Sequence, residues 1–128
     1  MRVLLDTHAF LWFITADPRL SAPARQVLST GGNQVLLSLA SVWEIAIKVA
    51  IGRLPLPLPL DTFIPEQLRI NRIELLPISL EHTYEVARLP LHHRDPFDRL
   101  LIAQAIRESI PVVSADEAFD SYPVQRYW

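Results

Sequence analysis

The chain is constrained most by the spacing of its short apolar runs. Val3-Leu4-Leu5, Val35-Leu36-Leu37, Ile73–Leu76 and Val112-Val113-Ser114 have the length of buried strands, and each is separated from the next by helical pattern. Strands this short and this apolar have no wet face, so the alternation predicts a parallel sheet covered on both sides. The expected fold class is α/β: a three-layer α/β/α sandwich with a short-stranded, mostly parallel central sheet. No repeat or linker interrupts it, and residues 1–128 read as a single domain.

Between the strands, Thr7 to about Ile14 reads as a buried helix opening directly after β-type sequence. Ser21 caps a second helix with Pro23 in its first turn, closed by Gly31-Gly32-Asn33. Leu39 to Ile51 is a long apolar helix stopped by Gly52. The Leu-Pro alternation of "RLPLPLPLD" forbids a helix and predicts an extended, ordered surface connection. Asp61 or Thr62 then opens a helix to about Ile70, and Ser79 starts another. Pro96 to Glu108 forms the last long helix, and Val124-Gln125-Arg126 reads as a short edge strand.

Composition narrows the class. Half the residues are hydrophobic and a fifth are charged, as in a compact folded domain. With no cysteine, disulfides and thiolate metal sites are excluded. Asp6 interrupts the only apolar run that resembles a signal peptide, and no stretch approaches a membrane span, so a soluble cytoplasmic protein is expected. The formal charge is −2, with eleven arginines and one lysine, Lys48, against fourteen acids. Arginine suits bidentate phosphate contacts, although codon bias produces the same skew. If four carboxylates shared one pocket, the remaining surface would carry twelve basic against ten acidic groups.

In a parallel sheet, functional groups gather beyond the carboxyl ends of the strands. Asp6 follows the first strand and Asp116 follows the fourth, in "VVSAD". Each also reads as a helix cap or first-turn acid. In "HRDPFDRLLIAQA", Asp95 is a natural N-cap before Pro96. Asp98, at about 100° per residue, shares the face of Leu101, Ile102 and Ala105 and should point inward. Arg99, Ala103 and Arg107 mark the more solvent-facing side. Glu44 reads on its own as an i,i+4 partner of Lys48 on an exposed helix edge.

Taken together, these acids raise an electrostatic problem. Carboxylates about 5 Å apart repel by roughly 3 kcal/mol per pair at an effective dielectric near 20. A cation, protonation or an inserted base would be needed, and oxygen ligands without cysteine favour Mg²⁺ or Mn²⁺.

The ordered blocks "VLLDTHAFLWF", "SLASVWEIAIKVAIGRL", "HRDPFDRLLIAQA" and "VVSADEAFDSY" resemble the PIN-domain family, and within it the VapC-type toxins of type II toxin–antitoxin systems. The resemblance runs essentially from Met1 to Trp128. It implies a PIN-like fold and a metal-dependent endoribonuclease leaving 5′-phosphate and 3′-hydroxyl ends. Asp6, Glu44, Asp98 and Asp116 would be the catalytic and metal-holding acids, with Mg²⁺ or Mn²⁺ as cofactor and Ser114 supporting them. It further implies an RNA substrate, a cognate antitoxin, a homodimer and toxin–antitoxin hetero-oligomers. Asp120 is an extra acid expected on the surface or at a cap.

Two other classes compete. His8, His92 and His93 could serve a metal-independent ribonuclease, and the same fold could be a catalytically inactive binding module. A haloacid-dehalogenase-like phosphatase fits poorly, because His8 stands where its second aspartate belongs. A receiver domain needs a lysine after a late strand, and Lys48 is mid-helix.

Overall fold

The computed structural model describes residues 1–128. Its elements run β1 (Arg2–Leu5), α1 (Thr7–Ile14), α2 (Ala22–Ser29), β2 (Gln34–Ser38), α3 (Leu39–Ala50), α4 (Leu60–Ile70), β3 (Ile73–Leu76), α5 (Leu80–Arg88), α6 (Pro96–Glu108), β4 (Val112–Val113), a 3₁₀ turn (Glu117–Ser121) and β5 (Arg126–Tyr127). The five strands form one sheet in the order β3-β2-β1-β4-β5, and every neighbouring pair is parallel. The expected α/β architecture is present, and the sheet is parallel throughout rather than mostly.

Alternation along β1 sends side chains to two cores. Val3 and Leu5 join Val35, Leu37, Ile73 and Val113 beneath Phe10, Ile45 and Phe63 from α1, α3 and α4. Leu4 and Leu36 join Val112 on the other face, under Leu101, Ile102 and Ala105 of α6. A central strand with helices on both faces has no wet side, which is why these runs are uninterrupted. The switch in strand order lies at β1, between β2 and β4, and a crevice outside the strand ends is expected there.

Several boundaries differ from expectation. β4 ends at Val113: Ser114 N still donates to Tyr127 O at 3.2 Å, but its carbonyl accepts from the Arg126 guanidinium at 3.1 Å and its Oγ from Asp116 N at 3.0 Å, turning the chain out of the strand. The edge strand is Arg126–Tyr127 rather than Val124–Arg126; Val124 N donates instead to Tyr122 O at 2.8 Å. α2 stops at Ser29, before the two glycines. α4 begins at Leu60, with Pro59 at its N-cap and no side-chain cap, so neither Asp61 nor Thr62 opens it. Gly52 does close α3, at φ +74° in the left-handed region.

The outer face of α6 is the main correction. Ala103 is fully buried and Arg99 partly so, since α5 packs along this helix; only Arg107 stays exposed. Helical periodicity separates one side from the other, but it does not reveal a second helix covering the outer side.

Candidate functional site

The carboxyl ends of β1 and β4 lie side by side, with Asp6 N donating to Val113 O at 3.1 Å. Asp6 is buried and its Oδ1 accepts from Ala9 N at 2.7 Å, so the cap reading is correct as far as it goes. Burial pushes its carboxyl pKa up; hydrogen bonds from Ser114 and Ala9 pull it down, and the charge of Asp116 adds to the rise. Buried Ser114 therefore sits by two acids: it favours the ionised form of Asp6, and its Oγ accepts from Asp116 N.

Asp95 is the N-cap of α6, accepting from Phe97 N at 2.8 Å and Asp98 N at 3.1 Å. Asp98 is thereby left free to turn inward. Its pKa is pushed up to about 6, first by burial and then by the charge of Asp95, with Asp6 adding to the effect and His93 opposing it. Asp116 caps the 3₁₀ turn through Ala118 N at 2.9 Å, and nearly half of its side chain remains exposed.

His93 lies between the last two. Its Nε2 is 2.9 Å from Asp98 Oδ2 and 3.4 Å from Asp116 Oδ2. Of the three histidines considered from sequence, this one enters the cluster. His8 is exposed, its ring 5.6 Å from that of Trp12, although it lowers the Asp6 pKa through space. His92 is exposed against Tyr122, with ring centroids 5.4 Å apart. Nothing in the spacing of "HHRDPFD" distinguishes the two neighbouring histidines; the loop's anchoring does.

Glu44 reaches the site by another route. Its Oε2 lies 3.3 Å from Lys48 Nζ, so the i,i+4 pair forms, but the carboxylate is largely buried rather than on an exposed edge. Its Oε1 is held at 2.6 Å by Thr7 Oγ1, which is also 3.0 Å from Ser41 Oγ. Thr7, the residue after Asp6, thus joins Glu44 to the end of β1. The sequence offered only that adjacency as a signal for it. Asp120 is apart from the cluster, paired with Arg126 at 2.9 Å.

A cavity of about 850 Å³ opens beside the acids, between α1, the end of α3, the Leu-Pro segment and α4. Trp12 and Phe63 line it, together with His8, Arg19, Lys48 and Arg53. None of the four acids lines it, but His8 and Lys48 connect its wall to Asp6 and Glu44.

A parallel sheet with acids near the strand ends where its order reverses defines a class of α/β domain with an acidic sheet end. The chain belongs to the PIN-domain family, whose model matches residues 3–125. It is 39% identical over 75 residues to Ribonuclease VapC16 of Mycobacterium tuberculosis (strain ATCC 25618 / H37Rv), an alignment covering 56% of this chain. The matched region spans about half, 52%, of that curated relative. Among solved structures, VapBC2 from Rickettsia felis, bound to a DNA fragment from its promoter, superposes with a TM-score of 0.71 at 18% identity over 100% of both chains. VapBC-1 from nontypeable Haemophilus influenzae gives 0.66 at 14% identity, covering 98% of this chain and 96% of that one. At such identities these two likenesses concern the fold.

Proposed function

We propose that this chain is a Mg²⁺- or Mn²⁺-dependent endoribonuclease and the toxin of a type II toxin–antitoxin pair. The observation that carries the reading is the acidic end of the sheet. Asp98 and Asp116 converge on His93 Nε2 at 2.9 Å and 3.4 Å, and buried Asp6 stands at the adjoining end of β1, hydrogen-bonded through its N–H to Val113 O, with burial opposing ionisation of Asp6 and Asp98. Such a group is poorly matched to water and well matched to a divalent cation. The donor set fits: carboxylate oxygens, no thiolate, and an open side at Asp116. Ribonuclease VapC16, by its name, supports the choice of RNA.

Asp6, Asp98 and Asp116 would hold the cation, which when bound lowers the pKa of water and stabilises charge at phosphorus. Glu44, fixed by Thr7, would orient the attacking water. Ser114 would support Asp6, whose ionised form it favours, while its Oγ holds the backbone N–H of Asp116. On the neighbouring cavity Arg53 would supply positive charge for the phosphates of a bound strand, since Arg19 and Lys48 there are already paired with Asp17 and Glu44.

An antitoxin partner fits the VapBC structures that share the fold. A homodimer fits an apolar stripe along α3 and its C-cap: Leu39, Trp43, Ile47 and the cap residue Ile51, four residues apart, are all exposed. No helix is long and apolar enough to cross a membrane, which is consistent with action in the cytoplasm.

The test is incubation of the purified antitoxin-free chain with total bacterial RNA, in Mn²⁺ or in EDTA, beside Asp98→Asn. Discrete cleavage that needs both metal and Asp98 is the expected result. Cleavage that survives EDTA and leaves cyclic phosphates would favour a metal-independent mechanism built on His93. No cleavage by a folded chain across RNA classes would favour the binding module.

A further inference from the structure

The loop from Leu89 to Asp95 is fixed from two sides. Tyr122 Oη accepts from His92 N at 3.1 Å and His93 N at 2.9 Å and donates to Pro90 O at 2.8 Å. The Arg99 guanidinium donates to four carbonyls: Pro90 at 2.9 Å, Val86 at 3.2 Å, and Leu89 and His93 at 3.3 Å. Both the N–H and the C=O of His93 are therefore tied down. Its ring stands edge-on to buried Phe119, with centroids 6.4 Å apart. A surface histidine needs no such support; a ring with a positional task does.

We infer that His93 Nε2 is a ligand of the divalent cation, alongside Asp98 and Asp116, and that it biases the site toward Mn²⁺ over Mg²⁺. The inference rests on the metal-dependent reading above. The three ligand atoms lie within 4.8 Å of one another. Two atoms at right angles on a cation with bonds of about 2.1 Å are separated by about 3 Å. The Nε2 separations of 2.9 Å and 3.4 Å from the two carboxylate oxygens suit adjacent positions around one ion. Mg²⁺ prefers oxygen and gives up its water reluctantly, whereas imidazole nitrogen favours transition metals. A site of carboxylates alone would discriminate less.

Metal titration and electron paramagnetic resonance distinguish a nitrogen ligand from a histidine that only hydrogen-bonds to the two carboxylates. Mn²⁺ and Mg²⁺ are titrated calorimetrically into the full chain, wild type and His93→Gln, with Asp98→Asn as control. The Mn²⁺ complexes are examined by pulsed electron paramagnetic resonance for coupling to nitrogen. Wild type is expected to show nitrogen coupling and to prefer Mn²⁺ by tenfold or more. His93→Gln, with its fold checked by circular dichroism, should lose the coupling and about 10- to 100-fold in Mn²⁺ affinity while Mg²⁺ affinity changes little. Equal affinities in wild type and His93→Gln, with no nitrogen coupling in either, would overturn the inference. If Asp98→Asn then still abolished binding, the metal-dependent reading would stand without it. A folded wild type that bound neither ion would overturn both.

Discussion

Asp98 couples the site to pH in a direction that can be derived. Its carboxyl ionises at about 6 in the folded chain and near 3.8 in an unfolded one. Between those values the folded state holds the proton more tightly, so metal-free stability falls as pH rises from about 4 through about 6. Buried Asp6 acts in the same direction. Asp98→Asn is expected to remove much of that decline, which thermal melts in EDTA across this range would show; parallel curves for the two proteins would contradict it. Thr7 supports a second prediction. Thr7→Val leaves Glu44 without its 2.6 Å partner and should slow cleavage by about 10- to 100-fold, the value of one hydrogen bond to a charged group. Thr7→Ser should restore most of the rate.

At the scale of elements, the α5–α6 pair and its loop form one device. Arg99→Leu strips four carbonyls and the Tyr122 hydroxyl of a shared donor. It is expected to destabilise the chain by about 2 kcal/mol and to speed amide exchange from Leu89 to Asp95. Arg99→Lys should rescue little, because one ammonium cannot span four acceptors. The α3 stripe carries a separate prediction: by light scattering the wild-type chain is expected to be a dimer and Ile47→Glu with Ile51→Glu a monomer, with α3 still helical; a wild-type monomer would contradict the proposed homodimer. This scale also marks the limit of what could be read from sequence. Asp95 and Asp98 were separable there, because capping and facing are local and periodic. Arg99 looked like a solvent residue because its partners lie outside its helix, six to twenty-three positions away in sequence. Thr7 escaped for the same reason, and His93 could be named from sequence but not told from His92, since the partners that give each a task become neighbours only on folding.

For the whole molecule, the architecture was legible because it follows from strand length and burial. Asp6, Asp98 and Asp116 could be read at strand ends or on an inward face, whereas Glu44, which reads as an exposed partner of Lys48, is largely buried against Thr7. Binding of a cation to the folded state alone should raise its stability by RT ln(1 + [L]/Kd), about 2.7 kcal/mol at a hundredfold excess over Kd. A melting shift of several degrees with Mn²⁺ at pH 7.5 is therefore expected, and little or none for Asp98→Asn. The sheet order has a further consequence, for the time at which the site comes into being. β1 pairs with β2 on one side, yet its other neighbour, β4, comes more than a hundred residues later. Asp6 and Asp116 are 110 positions apart, so at about 5–20 residues per second a nascent chain waits roughly 6–22 seconds between them. Ribosome-bound chains stalled before Val112 should cut no RNA, and full activity from them would contradict this order of assembly. The first half of the sheet thus leaves the ribosome with its acidic end unfinished, and the nuclease proposed above would stay silent while β4 is still untranslated.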